Sequence, residues 1–142
     1  MRWVRRCRDW LRAVFSPRPL GRRGEDAAAR FLRRLGYRIV DRSCRSKRGE
    51  LDLVAVDRDT IVFVEVKTRT SADAGDPSEA VGADKQRRLT HLALGWLKRH
   101  GLMEQPARFD VVAITWPEGC RRPQVEHYPN AFEATGPRGF FS

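Results

Sequence analysis

The spacing of apolar residues along the chain changes period several times, and each change predicts an element. Trp3, Val4, Cys7, Trp10, Leu11, Val14 and Phe15 recur every three or four positions, the stripe of an amphipathic helix, which Ser16-Pro17-Arg18-Pro19 then breaks. A second helix is expected from Gly24 to Leu35, with Ala28, Phe31, Leu32 and Leu35 inward and Gly36 just past its end. Tyr37 to Asp41 reads as a short strand, followed by a basic loop carrying Arg42, Arg45, Lys47 and Arg48. Glu50 to Val56 and Thr60 to Lys67 read as longer strands joined by a tight turn at Arg58-Asp59. A loop with Gly75 and Pro77 leads into a helix from Ser78 to Arg99 that buries Val81, Leu89, Leu92, Trp96 and Leu97. Phe109 to Thr115 is almost continuously apolar, as an internal strand is, and Val125 to Phe132 adds an edge strand or closing segment.

This order predicts an α/β domain with a mixed β-sheet and helices packed on it. The 142 residues suit one domain with flanking segments: a basic amphipathic extension over 1–20, the domain over 21–132 and a tail over 133–142. Such a domain buries roughly two thirds of its unfolded surface without needing a structural metal or disulfides.

Charges inside the two longer strands alter the picture. Glu50-Leu51-Asp52-Leu53-Val54 and Val64-Glu65-Val66-Lys67 are otherwise apolar, and a buried charge is costly unless it is paired or holds a metal. A hairpin centred between Arg58 and Asp59 sets Asp57 opposite Thr60, Asp52 opposite Glu65 and Glu50 opposite Lys67. Two carboxylates with Cβ atoms about 5 Å apart repel unless a cation lies between them. A hard divalent ion answers that need, and Lys67 on the same face can orient or deprotonate a water. Glu25 at the edge of the second helix adds a third acid, or serves its helix dipole. The plainer alternative is a wet strand face with Glu50 and Lys67 as a cross-strand ion pair.

A formal charge of +10, from 28 basic and 18 acidic residues, favours a polyanionic partner, with nucleic acid ahead of a lipid surface. Arginine-rich composition alone is the competing explanation. Six arginines face one acid in the N-terminal stripe, which suits anionic lipid, nucleic acid, docking to a protein partner or packing as an accessory helix. Lys85, Gln86, Arg87 and Arg88 open the long helix and either reach a phosphate backbone, complete the site or form a solvated face. Cys7, Cys44 and Cys120 lack zinc or disulfide spacing, no segment has the length of a membrane span, and a reducing cytoplasm is the expected setting. His91, His100 and His127 are not spaced as ligands and read as surface or helix-end residues; no phosphate-binding glycine pattern is present.

Gly24-Glu25-x-x-Ala28, Gly36-Tyr37, Gly49-Glu50-Leu51-Asp52-Leu53-Val54, Phe63-Val64-Glu65-Val66-Lys67-Thr68-Arg69, Val81, Lys85, Arg108-Phe109-Asp110-Val111-Val112 and Asn130-Ala131-Phe132 stand in an order that resembles the YraN family of uncharacterised bacterial proteins. That family is similar to the restriction-endonuclease-like, or PD-(D/E)xK, superfamily and within it to archaeal Holliday-junction resolvases. The resemblance implies a three-layer domain with a central mixed sheet flanked by helices and a metal-dependent nuclease core. Asp52 and Glu65 would hold Mg²⁺ or Mn²⁺, Lys67 would be the catalytic lysine, and Glu25 the helix acid of the resolvase-like branch. Leu51 replaces the proline of the superfamily pattern, and Ser43 stands where the family's asparagine is expected. The resulting expectation is a nuclease acting on DNA, branched or single-stranded forms included, with Arg42, Arg45, Arg48, Arg69, Lys85 and Arg87 on the backbone and Glu50 and Gln86 in support. Resolvases of this fold suggest a homodimer. The alternative is a non-catalytic nucleic-acid-binding protein of the same fold.

Overall fold

A computed structural model describes residues 19–70 and 81–134. The expected N-terminal amphipathic helix, the Gly75–Pro77 loop and the tail beyond 134 lie outside them. The described chain runs α1 (Leu20–Arg34), β1 (Arg38–Ser46), β2 (Gly49–Asp57), β3 (Thr60–Arg69), α2 (Ala83–Arg99), β4 (Ala107–Thr115) and β5 (Gln124–Phe132). The strands form one sheet in the order β1-β2-β3-β4-β5. β3 and β4 are parallel and every other neighbouring pair is antiparallel, so α2 lies in the crossover between the central strands.

Alternation along β3 divides the core between the two sheet faces. Ile61 and Phe63 join Leu89, Leu92, Ala93, Trp96 and Leu97 under α2, while Val62 and Val64 join Ala27, Ala28, Ala29 and Leu32 under α1. The result is a three-layer α/β domain with a mixed sheet. Each fully buried valine, leucine, isoleucine or phenylalanine among them contributes about 1.5–3 kcal/mol. Phe63 meets Trp96 edge-on at 5.8 Å between ring centroids, and the Trp96 indole N–H donates to Asp41 at 2.9 Å.

The inward residues expected for α2 are all buried. For α1, Leu35 departs from expectation and is 53% exposed. It is the C-cap, and the chain turns away through Gly36 at φ 93° before the side chain can reach the sheet. Arg42 and Arg45 stand on a strand, not in a loop. β2 starts at Gly49 and offers partners to the first part of the basic run, pairing Arg42 with Leu53, Cys44 with Leu51 and Arg45 with Glu50, while Lys47 and Arg48 form the turn.

Two residues in the left-handed region interrupt the outer strands, Ser43 at φ 49° in β1 and Asn130 at φ 50° in β5. Gly24 marks the closest approach of α1 to the sheet: a Cβ there would lie 1.8 Å from Thr68 Oγ1. Gly24→Ala is therefore expected to destabilise the protein by roughly 1–3 kcal/mol, through overpacking. Thr68→Gly should recover part of that loss in a urea titration of the double variant. Additive losses would show that the contact does not set the cost.

Candidate active site

The tight approach at Gly24 carries the next residue, Glu25, toward the start of β2. Carboxylate oxygens of Glu25, Glu50 and Asp52 all lie within 4.8 Å of one another. Ser43 Oγ donates to Glu25 Oε2 at 3.2 Å, so the left-handed residue of β1 helps hold the helix acid. It falls between the pairs Arg42↔Leu53 and Cys44↔Leu51, which places it across from Asp52.

Asp52 disrupts its strand. Leu51 packs with Val54 on the α2 side, whereas Leu53 and Ala55 pack on the α1 side, so strict alternation slips at Asp52. The β2–β3 ladder runs from Asp57↔Thr60 to Leu53↔Val64, in the expected register. Immediately beyond it, Asp52 Oδ2 accepts the Val66 backbone N–H at 2.8 Å. Burial, and then the neighbouring Glu65 charge, push the Asp52 carboxyl up to about 7. Two carboxylates this close repel, and either a proton or a cation relieves the conflict. Burial also raises Glu25, with Ser43 opposing and Glu50 adding to the rise.

Positive charge stands over the same acids. Lys85 of α2 forms an ion pair with Glu65, itself 8% exposed. Burial and the nearby Lys85 charge lower the Lys67 ammonium, against the pull of Glu65 and Asp52. A cavity of about 200 Å³ borders Glu50, Asp52, Glu65, Lys85, Arg88 and Leu92. The oxygen donors of Glu25, Glu50 and Asp52, close enough to share one ion, fit a hard divalent cation such as Mg²⁺ or Mn²⁺, while Glu65 lies outside that set and is paired with Lys85.

The fold thus brings Glu25, Glu50, Asp52, Glu65 and Lys85 together, with Lys67 in their electrostatic reach. Glu50 joins the acid cluster, and its ion pair is with Arg45, 3.3 Å away on β1; sequence arithmetic had assigned it to Lys67. Several expected backbone-binding residues already have protein partners. Arg42 pairs with Asp26, Arg87 with Asp84, and Arg69 Nε donates to Thr115 Oγ1 at 3.1 Å. Gln86 ties the segment before α2 to the helix by donating to the Val81 carbonyl at 2.8 Å. Arg48 is exposed beside α2.

A second polar cluster went unrecognised in the sequence. Asp110 is completely buried on β4 and accepts from Arg108 Nε at 3.0 Å, His127 Nε2 at 2.8 Å and the Asn130 amide at 3.0 Å. Arg108 extends the network to Asp57 at 3.2 Å and to the Tyr37 hydroxyl at 2.8 Å. His127 is therefore no surface residue; its side chain is only 9% exposed, and Phe31 and Tyr37 pack edge-on against its ring. The available signal was Asp110 itself, a lone acid in a continuous apolar strand. Of the other histidines, His91 is exposed, and His100 caps the end of α2, stacked on Trp96.

A five-stranded mixed sheet with a helix on each face, and acids converging from β2, β3 and α1, defines a restriction-endonuclease-like domain. The chain belongs to the Uncharacterised protein family UPF0102, the YraN family, which matches residues 24–114. A UPF0102 protein of Anaeromyxobacter dehalogenans is 50% identical over 120 residues, spanning 84% of this chain and 88% of the relative. One from Geobacter sulfurreducens is 53% identical over 116 residues, spanning 80% and 88%. A third, from Rhodopirellula baltica, is 41% identical over 151 residues, spanning 98% and 90%. No helix among the described residues is long and apolar enough to cross a membrane.

Proposed function

We propose that this protein is a metal-dependent nuclease that hydrolyses phosphodiester bonds in DNA. The observation that carries this reading is the convergence of Asp52 and Glu65 on one cavity, with Glu25 and Glu50 beside Asp52 and Lys85 paired to Glu65. Glu25, Glu50 and Asp52 would hold Mg²⁺ or Mn²⁺. When bound, such an ion polarises a phosphoryl oxygen and acidifies water. Asp52 is held by the Val66 amide, and Glu25 by Ser43, so two of the donors are oriented before any ligand arrives. Lys67, its ammonium pKa lowered by burial, is suited to hold or pass a proton at Nζ, and exposed Arg45 and Arg48 offer charge to the DNA backbone. Free Cys44 and Cys120 suit a reducing cytoplasm.

Incubation with plasmid, single-stranded and four-way-junction DNA in Mn²⁺ tests the reading. Cleavage should require the metal, and Lys67→Ala should slow it about 10²–10⁴-fold. One observation favours the rival, a non-catalytic DNA-binding protein: Lys85 already neutralises Glu65 without a metal. That rival predicts salt-sensitive binding with no cleavage, indifferent to chelator and to Lys67→Ala.

A further inference from the structure

The acid cavity does not end at the carboxylates. Leu92 also lines a second, larger hollow of about 380 Å³ between α2 and the turn joining β1 to β2. Its floor is apolar, formed by Cys44, Leu51, Leu92 and Gly95. Lys47, Arg48 and Arg99 are exposed around its rim, Arg88 stands at the junction with the acid cavity, and no carboxylate lines the larger hollow among the described residues.

Helix α2 is shaped for this hollow. Arg88, Leu92, Gly95 and Arg99 are spaced by three or four residues and share one helix face. On that face Gly95 is a notch. A helix-interior glycine costs about 1 kcal/mol relative to alanine, and a Cβ at Gly95 would meet only the movable Arg99 guanidinium, at 3.3 Å. Backbone packing therefore does not demand the glycine; what its absent side chain provides is open space above an apolar floor. Arg88 and Leu92 also approach Gly49 closely, since a Cβ there would lie 3.5 Å from each, so their side chains stand at the border where the larger hollow, a trough along α2, meets the acid cavity at Leu92.

We propose that this trough holds one unpaired nucleotide beside the carboxylates, making a strand with a single-stranded segment or end the preferred DNA substrate. The inference rests on the nuclease reading of the adjacent acids. A space of about 380 Å³ accommodates a base with its sugar and cannot admit a duplex. An apolar floor accepts the flat face of any base, while the cationic rim receives the flanking phosphates, so recognition is tolerant of sequence. An intact duplex would present only its outer phosphates to the rim and leave the floor empty.

Binding, read by fluorescence anisotropy of labelled oligothymidine with Ca²⁺, separates this inference from the activity. The full chain should bind the single strand about tenfold more tightly than a duplex of equal length, and removing bases from the strand should erase the difference. Gly95→Leu fills the notch while keeping every charge, and should weaken single-strand binding about tenfold with duplex binding unchanged. Arg99→Glu, at an exposed position, gives a second reading if the leucine variant loses its thermal transition: single-strand affinity should fall more than duplex affinity. Equal affinity for duplex and single strand, or wild-type single-strand binding by Gly95→Leu, would overturn the proposal. Repeating the titration with Asp52→Asn keeps the two ideas apart. Preserved base-dependent binding with no cleavage by the wild type in Mn²⁺ would sink the nuclease reading alone, and cleavage without base dependence would sink the trough.

Discussion

Asp52→Asn is expected to abolish metal-dependent cleavage, by about a thousandfold or more, and at the same time to make the metal-free protein more stable. The first effect follows from losing a charged donor at the centre of the cluster, a loss of several kcal/mol of transition-state stabilisation. The second follows from replacing a desolvated carboxylate that Glu65 repels with a neutral isostere that still accepts the Val66 N–H. Its pH dependence has a definite sign. The folded carboxyl titrates at about 7, above its ordinary value, so the folded state takes up a proton as pH falls and the wild type recovers stability there. The advantage of asparagine is therefore greatest above about 7 and disappears once the unfolded carboxyl is also protonated. Mn²⁺ should reverse the order, raising the Tm of the wild type and leaving the variant unmoved. Thermal melts with and without Mn²⁺ across that pH range, alongside the cleavage assay, measure all three. A variant that cleaves like the wild type would remove Asp52 from the mechanism.

Asp110→Ala is expected to cost about 3–5 kcal/mol, because it leaves Arg108, the His127 ring and the Asn130 amide without their shared acceptor in a fully buried place. Burial alone would push the Asp110 carboxyl up, but His127, Arg108 and the Asn130 amide together hold it below its ordinary value. A depressed folded value means that this stability is complete above the unfolded carboxylate range and is lost as pH falls through the folded one. Urea unfolding at neutral pH should show the full deficit, and the gap between wild type and variant should narrow only in strong acid. A deficit below about 1 kcal/mol would mean that water or rearrangement satisfies the network.

The elements of this fold were legible because apolar periodicity is a local property. The inward face of α2, the turn at Arg58-Asp59 and the internal strand β4 all follow from spacing alone. The register that puts Asp52 near Glu65 followed too, since a two-residue turn fixes it. What spacing could not convey was the slip at Asp52, where a side chain takes over from a ladder pair and turns Glu50 into a neighbour of Glu25. Nor could it convey that α1, and Glu25 with it, is set by Gly24 pressing onto Thr68, a contact between residues 44 positions apart. Asp110 was overlooked for another reason: its partner His127 lies on a strand whose pairing only the folded sheet creates.

The left-handed residues of the outer strands bear on solubility as well as on the site. Among the described residues, β1 and β5 are nine residues each and form the two margins of the sheet, the kind of edge along which a second chain could add by backbone pairing. Ser43 and Asn130 break the run of outward-facing amides, Pro129 removes one more, and Arg38, Arg42 and Arg45 place like charges along β1. Along the described edges these features disfavour backbone pairing with a second copy, a use for some of the arginines separate from any ligand.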